Sequence, residues 1–305
     1  MRILSDIAEL RAALRGRRGD RAGDERPRPR SVGFVPTMGA LHAGHRSLVQ
    51  AARQSCDIVV ASIFVNPAQF GPNEDFSRYP RTLEQDCEML KSEDVDIVFT
   101  PTAEAMYPAG ASTFVEVEGV SDRLDGASRP GHFRGVATVV AKLLHIVQPD
   151  LAFFGQKDAA QVAVLRKMVR DLDFPLEIIV CPTVREPDGL AMSSRNRYLS
   201  TEERRQALIL SRALQSAETQ AASGEVAAAT ASALLQTMRA ILQGEPAIRI
   251  DYLAIVDPDT LLPIDDLSSG GLLAIAAYVG NTRLIDNVLL GPRAGNTGIS
   301  GKKKS

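Results

Sequence analysis

The sequence predicts an α/β protein, in which a parallel β-sheet with flanking helices is followed by a smaller α+β domain. Short apolar runs alternate with helical patterns from Val32 to Cys181, which is typical of βαβ units. After Tyr198, two helical segments precede three strand-like runs, and the alternation stops. The length of 305 residues also suits about two domains, at roughly 150 residues per domain.

The elements of the first domain follow from the local spacing of apolar residues. A short amphipathic helix is predicted near residues 7–14. The predicted strands are residues 32–35, 57–64, 95–99, 151–155 and 176–181, and the helices between them are residues 46–55, 82–92, 136–147 and 159–172. Because ligands bind beyond the carboxyl ends of parallel strands, chemistry is expected in the loops after Val35, Phe64, Phe154 and Cys181.

The second domain begins with a helix that Ser200 or Thr201 is expected to cap. A second helix is predicted at residues 225–243, and strands at residues 247–256, 271–279 and 282–290. The predicted domains are therefore residues 1–185 and 186–290, with disorder at residues 15–30 and in a tail at residues 291–305. Residues 15–30 are rich in arginine, and contact with RNA or lipid is an alternative that their interspersed acidic residues weaken.

Composition argues against several classes of protein. Lys and Arg number 35 against 37 Asp and Glu, so nothing in the net charge of −2 predicts binding to nucleic acid or an anionic membrane. No stretch approaches the ~20 apolar residues of a membrane span. The acidic Asp6 and Glu9 argue against a transit peptide, and a cytoplasmic location is expected. Cys56, Cys87 and Cys181 lie far apart and are expected to be reduced core residues.

The loop after the first core strand carries two of the 4 histidines, His42 and His45. Residues three apart share a helix face, a helix N-terminus attracts anions, and Gly39 and Gly44 allow close approach to the backbone. With an ordinary pKa near 6.5, either ring is expected to donate to phosphate oxygens in its charged or its neutral form. Two surface histidines and a metal site are the alternatives, although no further cluster of zinc ligands accompanies the pair. Neither common glycine-rich nucleotide motif is present.

Pro36-Thr37-Met38-Gly39, followed by His42-x-Gly44-His45, resembles the pantothenate synthetase family, whose members condense pantoate with β-alanine. The His-x-Gly-His element alone is shared with nucleotidylyltransferases and class I aminoacyl-tRNA synthetases. Three further segments make the resemblance specific: Phe64-Val65-Asn66-Pro67-Ala68-Gln69-Phe70, Phe154-Gly155-Gln156-Lys157-Asp158-Ala159-Ala160-Gln161, and Val184-Arg185-Glu186 leading to Met192-Ser193-Ser194-Arg195-Asn196. The resemblance covers residues 31–290 and implies a Rossmann-like nucleotidylyltransferase domain.

The resemblance implies a reaction in two steps. The pantoate carboxylate attacks the α-phosphate of ATP, giving pantoyl adenylate and pyrophosphate, and the β-alanine amine then releases AMP. ATP is thus expected as a co-substrate, with Mg²⁺ on its phosphates. A homodimer is expected, without nucleic acid or membrane as partner. Another His-x-Gly-His nucleotidylyltransferase and a non-catalytic nucleotide-binding regulator are the alternative functions.

The resemblance also assigns roles to residues. His45, His42 and Lys157 are expected to be catalytic, and Gln69 and Gln161 to bind pantoate, with Asn66 adding a contact. The expected ATP contacts are Met38, Gly39, Ala40, Leu41, His42, Ala43, Gly44, His45, Gly155, Gln156, Lys157, Asp158, Val184, Met192, Ser193, Ser194 and Arg195. Asp86 is a candidate for a metal contact through water, or for a salt bridge on a helix surface. His132 stays outside the set, because a loop-packing role suits it equally.

Overall fold

A computed structural model describes residues 1–17, 30–72, 74–222 and 230–291. Its chain contacts divide it into two compact units. The first comprises Met1–Val184 and Met192–Ser194, and the second comprises Arg185–Ala191 and the described residues from Arg195 onward. Within the described part, no helix combines the length and apolar character that crossing a membrane requires.

The first unit is built on a six-stranded, all-parallel sheet. In chain order its elements are β1 (Arg2–Leu4), α1 (Ile7–Arg17), β2 (Val32–Thr37), α2 (Ala43–Ser55), β3 (Ile58–Ile63), α3 (Leu83–Ser92), β4 (Ile97–Phe99), α4 (Ala103–Met106), α5 (Asp125–Ser128), α6 (His132–Val147), β5 (Leu151–Gly155), α7 (Ala159–Asp171) and β6 (Glu177–Cys181). The strand order is β1-β4-β3-β2-β5-β6. Val32, Phe34 and Val35 are fully buried, as expected for a central parallel strand with both faces covered.

The strand order creates a switch point between β2 and β5. From β2 the chain continues through α2 to β3 on one side, whereas from β5 it continues through α7 to β6 on the other. The two central strands pair directly, with Gly33 opposite Leu151 and Phe34 opposite Ala152. Ligands of open α/β sheets bind outside the carboxyl ends of the strands at such a point. The fold therefore predicts a ligand site at the starts of α2 and α7.

The described residues of the second unit form two α-helices and an antiparallel sheet of strand order β7-β8-β9. Its elements are α8 (Thr201–Ala222), α9 (Ala231–Gln243), β7 (Ile248–Val256), β8 (Gly271–Val279) and β9 (Thr282–Leu290). The apolar face of the helices packs with the fully buried Leu273 and Ile275 in one core. Ser200 caps α8 through reciprocal hydrogen bonds with Glu203, as predicted. Together the two units confirm the predicted fold class.

The structure differs from the sequence predictions mainly at element ends. β1 was not predicted, because only three residues form it and it depends on pairing with β4. α1 continues through Arg17, beyond the predicted start of the loop at residue 15, and Arg17 pairs with Asp96 at 2.6 Å. α6 begins at His132, four residues before its predicted start at Val136. Residues 18–29, residues 223–229, which include the first five residues of the helix predicted at 225–243, and the predicted tail beyond Gly291 lie outside the described residues.

Candidate active site

The His-x-Gly-His segment forms the start of α2. His42 is the N-cap residue, and its Nδ1 accepts a hydrogen bond from the backbone N–H of Gly44 at 3.1 Å. In return, the backbone N–H of His42 donates to Nδ1 of His45 at 3.3 Å. The two histidines therefore make a reciprocal capping box, which Ser or Thr and Glu more often form. Gly44 suits this arrangement, because a Cβ there would lie 2.9 Å from the His42 ring.

The capping contacts fix the tautomer of both rings. Since each Nδ1 accepts an N–H, each neutral ring carries its proton on Nε2. His45 keeps some accessible surface, yet burial of the ring lowers its pKa to about 3, and the neighbouring His42 and Lys157 act in the same direction against Asp158. His45 is therefore neutral near pH 7. The sequence predicted that the ring donates a hydrogen bond in either its charged or its neutral form. The structure favours the neutral form of His45, with Nε2–H as the donor.

Lys157 and Asp158 approach the same place from the neighbouring strand. They lie in a short 3-10 turn between β5 and α7, and β5 pairs with β2. The charges of both act on His45, and Nζ of Lys157 lies 3.4 Å from the Asp158 carboxylate. A Cβ built on Gly155 would meet no atom within 4 Å, so the backbone there borders open space. Two histidines, a lysine and an aspartate thus gather at the switch point of the sheet.

A buried carboxylate holds the loop between β2 and α2. Gly39 and Ala40 have positive φ angles of 81° and 51°, and the left-handed region costs a non-glycine residue about 1–2 kcal/mol. Asp86 on α3 is 2% exposed and accepts the backbone N–H groups of Ala40 at 2.9 Å and of Leu41 at 2.8 Å. The Thr82 hydroxyl donates to the same carboxylate at 3.2 Å. Asp86 thereby fixes the loop that carries the predicted nucleotide contacts.

The hydrogen bonds of Asp86 argue against the expected metal contact. Its carboxylate already accepts three hydrogen bonds, two of them from backbone N–H groups. Across the described ranges, no three His, Cys, Asp or Glu side chains are grouped so as to hold an ion. The side chains present therefore do not fit a magnesium site held by the protein. The alternative of a surface salt bridge for Asp86 is wrong, because the carboxylate is buried.

The turn after β3 positions the Gln69 amide. Asn66 caps the 3-10 turn Pro67–Gln69, and its Nδ2 donates to Oε1 of Gln69 at 3.0 Å and to the carbonyl of Gly135 at 3.2 Å. The Tyr107 hydroxyl donates to Oδ1 of Asn66 at 2.7 Å. Asn66 is 1% exposed. Its amide is therefore engaged by protein groups and holds Gln69, which differs from the expected contact with a substrate.

The two glutamines expected to bind pantoate follow different strands. Nε2 of Gln69 lies 3.1 Å from Sδ of Met38, a weak acceptor in the β2–α2 loop. Gln161 lies in the first turn of α7 and is partly exposed. Gln69 follows β3 and Gln161 follows β5, and these strands flank β2 in the sheet. Both amides thus belong to the carboxyl edge of the sheet that carries the His-x-Gly-His helix start.

The segment predicted to close over ATP is divided between the two units. Met192–Ser194 belongs to the first unit, whereas Arg195 belongs to the second. The N–H of Met192 donates to the carbonyl of Val184 at 2.9 Å. A Cβ built on Gly44 would lie 3.8 Å from Cβ of Met192. Met192 therefore reaches the start of α2, and the expectation that Ser193 and Ser194 belong to the smaller domain differs from the structure.

Three side chains that support the site were not predicted in that role. Tyr79 is 6% exposed and its hydroxyl lies 3.5 Å from that of Ser194, and Tyr107 holds the cap of the turn after β3. No local pattern marks either tyrosine, because their partners are distant in sequence. The third, Asp86, had a signal: it lies four residues before the buried Leu90 on the same helix face. A carboxylate on a core-facing position needs a buried hydrogen-bond donor.

The fold and the site define a Rossmann-like α/β enzyme of the His-x-Gly-His class. The sequence matches the pantoate-beta-alanine ligase family over residues 2–289. It is 65% identical over 294 residues to a pantothenate synthetase of Acidobacterium capsulatum, covering 95% of this chain and 97% of the relative. Belonging to the pantoate-beta-alanine ligase family, the chain is a ligase of pantothenate biosynthesis, as the four sequence segments predicted.

Solved structures of the same family share the whole fold. A pantothenate synthetase from Thermus thermophilus superposes with a TM-score of 0.88 at 50% identity, covering 96% of this chain and 100% of the other. A pantoate-beta-alanine ligase from Francisella tularensis, complexed with beta-gamma ATP and beta-alanine, has a TM-score of 0.74 at 34% identity and covers 95% and 97%. Family membership removes the alternatives of another nucleotidylyltransferase and of a non-catalytic regulator.

Proposed function

We propose that the protein joins pantoate to β-alanine with ATP as co-substrate, through pantoyl adenylate. The observation that carries this proposal is the gathering of His42, His45, Lys157 and Asp158 at the switch point, beside the loop that Gln69 contacts. An anion at the start of α2 would meet two Nε2–H donors, the helix N-terminus and one lysine. The Francisella tularensis relative is complexed with beta-gamma ATP and beta-alanine, which supports ATP and β-alanine as substrates here.

In the first step, a carboxylate oxygen of pantoate attacks the α-phosphorus of ATP. The bond from that phosphorus to the bridging oxygen of the β-phosphate breaks, and pyrophosphate leaves with the electron pair. We assign His42, His45 and Lys157 to the phosphate oxygens, where negative charge shifts toward the leaving group. Because His45 is neutral near pH 7, its contribution is a directed hydrogen bond, and Lys157 supplies the positive charge.

In the second step, the β-alanine amine attacks the acyl carbon of pantoyl adenylate. The bond from that carbon to the phosphate oxygen breaks, AMP leaves with the electron pair, and the nitrogen releases a proton to solvent to form the amide. We assign Gln69 and Gln161 to the hydroxyls and carboxylate of pantoate, because a side-chain amide both donates and accepts. Asp158 and Gly155 are assigned to the ribose, whose vicinal hydroxyls suit a carboxylate and an open backbone edge.

Further residues are proposed to form the walls of the nucleotide site. The loop from Met38 to Leu41 and the helix start at Ala43 and Gly44 are assigned to the phosphates, and Gln156, Val184 and Met192 to the nucleoside. Ser193, Ser194 and Arg195 are proposed to close over the triphosphate as a lid that shields the adenylate from water. Magnesium enters only as a companion of the ATP phosphates, and no step is assigned to it. A homodimer rests on the family resemblance and a cytoplasmic location on the sequence composition, and both stay predictions.

The adenylate mechanism is tested by isotope exchange between pyrophosphate and ATP in the absence of β-alanine. We expect exchange that requires pantoate, followed by AMP release once β-alanine is added. Exchange without pantoate, or exchange that also needs β-alanine, would contradict the two-step mechanism. In the same assay, His45→Ala and Lys157→Ala should each lower the rate by at least ~10²-fold, because each removes stabilisation of the phosphate charge. Near-full activity in either variant would show that its assignment is wrong.

A further inference from the structure

A network of polar side chains contacts the backbone carbonyl of Gln69, and the proposed reaction does not use these side chains. Nε and Nη2 of Arg129 donate to the two oxygens of Glu74 at 2.7 and 2.6 Å. Nη1 of Arg129 lies 2.9 Å from Nε2 of His132, and Nδ1 of His132 lies 2.8 Å from the backbone carbonyl of Gln69. Nη2 also donates to that carbonyl at 3.4 Å. A continuous chain of contacts therefore connects Glu74 with the backbone of Gln69.

These contacts fix the protonation of His132. A guanidinium only donates, so Nε2 of His132 accepts from Arg129, and the neutral ring carries its proton on Nδ1. This Nδ1–H donates to the Gln69 carbonyl. Burial first, and then the Arg129 charge, lower the pKa of His132 to about 4, while Asp125, Glu74 and the Gln69 carbonyl oppose them. Both ring nitrogens are thus engaged near pH 7, which argues against an acid–base role.

The network is anchored at its other end by an ion pair. Burial raises the pKa of Glu74, but the hydrogen bond and charge of Arg129 outweigh it and lower that pKa overall. Glu74 therefore remains a carboxylate and fixes the guanidinium through two parallel hydrogen bonds. A cavity of about 580 Å³ is lined by residues of this network, among them Gln69, Glu74, Arg129 and His132. The turn that carries Gln69 therefore borders a space large enough for a small molecule.

We propose that His132 is a positioning residue whose Nδ1–H, oriented by Arg129 and Glu74, sets the place of Gln69 and thereby of its amide. Asn66 holds the side-chain oxygen of Gln69, and His132 holds its backbone carbonyl, so the residue is fixed at both ends. The inference rests on the proposed function in one respect, namely that the Gln69 amide binds pantoate.

The test compares His132→Ala with His132→Asn in the full-length protein, with pantoate and ATP varied separately. The alanine variant loses the donor to the Gln69 carbonyl, and we expect its KM for pantoate to rise by about 10-fold, the effect of one lost buried hydrogen bond. The KM for ATP should change by less than about twofold. The asparagine N–H can replace Nδ1–H, so His132→Asn should recover most of the loss. His145→Ala, an exposed position on the same helix, is the matched control.

A double-mutant cycle separates positioning from general structural damage. If His132 acts through Gln69, His132→Ala should add less than about twofold in a Gln69→Ala background. An unchanged pantoate KM, an equal rise in the ATP KM, or full additivity with Gln69→Ala would overturn the proposal. If His132→Ala does not fold, Arg129→Lys gives the same test, because lysine keeps the charge but loses the fork. Loss of pantoate-dependent exchange in the wild-type protein would instead refute the proposed function.

Discussion

Replacing Gly135 with alanine should displace Gln69 and impair the use of pantoate. Gly135 lies in the first turn of α6, whose backbone passes directly over the turn that carries Gln69. A Cβ at this position would lie 2.1 Å from the carbonyl oxygen of Ala68 and 2.7 Å from Cα of Gln69. Cβ contacts under 3.0 Å essentially never occur, so the helix or the turn must move by about 1 Å. Because both neighbours are backbone atoms, no rotamer change relieves the clash.

The size of the effect follows from that displacement. Misplacing a substrate-positioning group by about 1 Å costs on the order of 10²-fold in rate, so kcat/KM for pantoate should fall by about that factor. Overpacking should also lower the free energy of unfolding by about 1–3 kcal/mol. The better helix propensity of alanine returns only about 1 kcal/mol of this loss. The KM for ATP should stay within about twofold, because the turn after β3 contacts the loop before α2 through the flexible Met38 side chain, while Asp86 holds the backbone of that loop.

Pyrophosphate release at varied pantoate, together with urea unfolding, measures both effects. Gly16→Ala in α1 is the control, because a Cβ there meets nothing within 4 Å. That variant should keep full activity and gain about 0.5–1 kcal/mol of stability. A folded Gly135→Ala protein with wild-type pantoate kinetics would refute the reasoning. An equal loss for ATP and pantoate would also refute it, because the damage would then not be confined to the turn.

Asp86, which is buried, and His132, which is partly buried, each give a further prediction. Asp86→Asn leaves one backbone N–H of the β2–α2 loop without an acceptor, so the KM for ATP should rise about 10-fold. Glu84→Gln, at an exposed position on the same helix, is the control. A raised Mg²⁺ requirement with an unchanged KM for ATP would instead favour a metal contact of Asp86. His132 has a pKa of about 4 in the folded protein, below the 6.5 of the free side chain, so the unfolded state binds its proton first as the pH falls. Its contribution to stability should be lost between about pH 6.5 and pH 4, by at most ~1.4 kcal/mol per unit. Urea unfolding at several pH values checks this, and an identical pH slope in His132→Asn would contradict it.

Much of the fold was predictable because its strands and helices are local patterns. β2, β3 and β5 are short apolar runs whose side chains are buried on both faces, and α2 shows a clear amphipathic spacing. The ends of elements were less predictable. α6 begins at His132 because tertiary contacts of that ring hold the first turn, and β1 exists only by pairing with β4. Such contacts join residues far apart in the chain.

The residues of the candidate site were likewise predictable only in part. His42 and His45 were singled out because the pair lies at a helix start after a strand. Roles for Lys157 and Asp158 were predicted from the family resemblance, and both follow β5, which pairs with β2 and ends at the same edge of the sheet. The role of Asn66 was not identifiable, because its partners Tyr107 and Gly135 lie 41 and 69 residues away. An exposed loop amide and a fully engaged one look alike in sequence. Only burial and hydrogen bonding distinguish them.

The sequence by itself determined the family, the fold class and the residue types at the sheet edge, since these depend on segments of a few neighbouring residues. The tertiary structure decided the state and the task of those residues. It made His45 neutral by burying it, used Asp86 to hold a strained loop, and connected His132 to Gln69 through space. Burial and long-range hydrogen bonds set pKa and orientation, and neither is determined by residues adjacent in the chain.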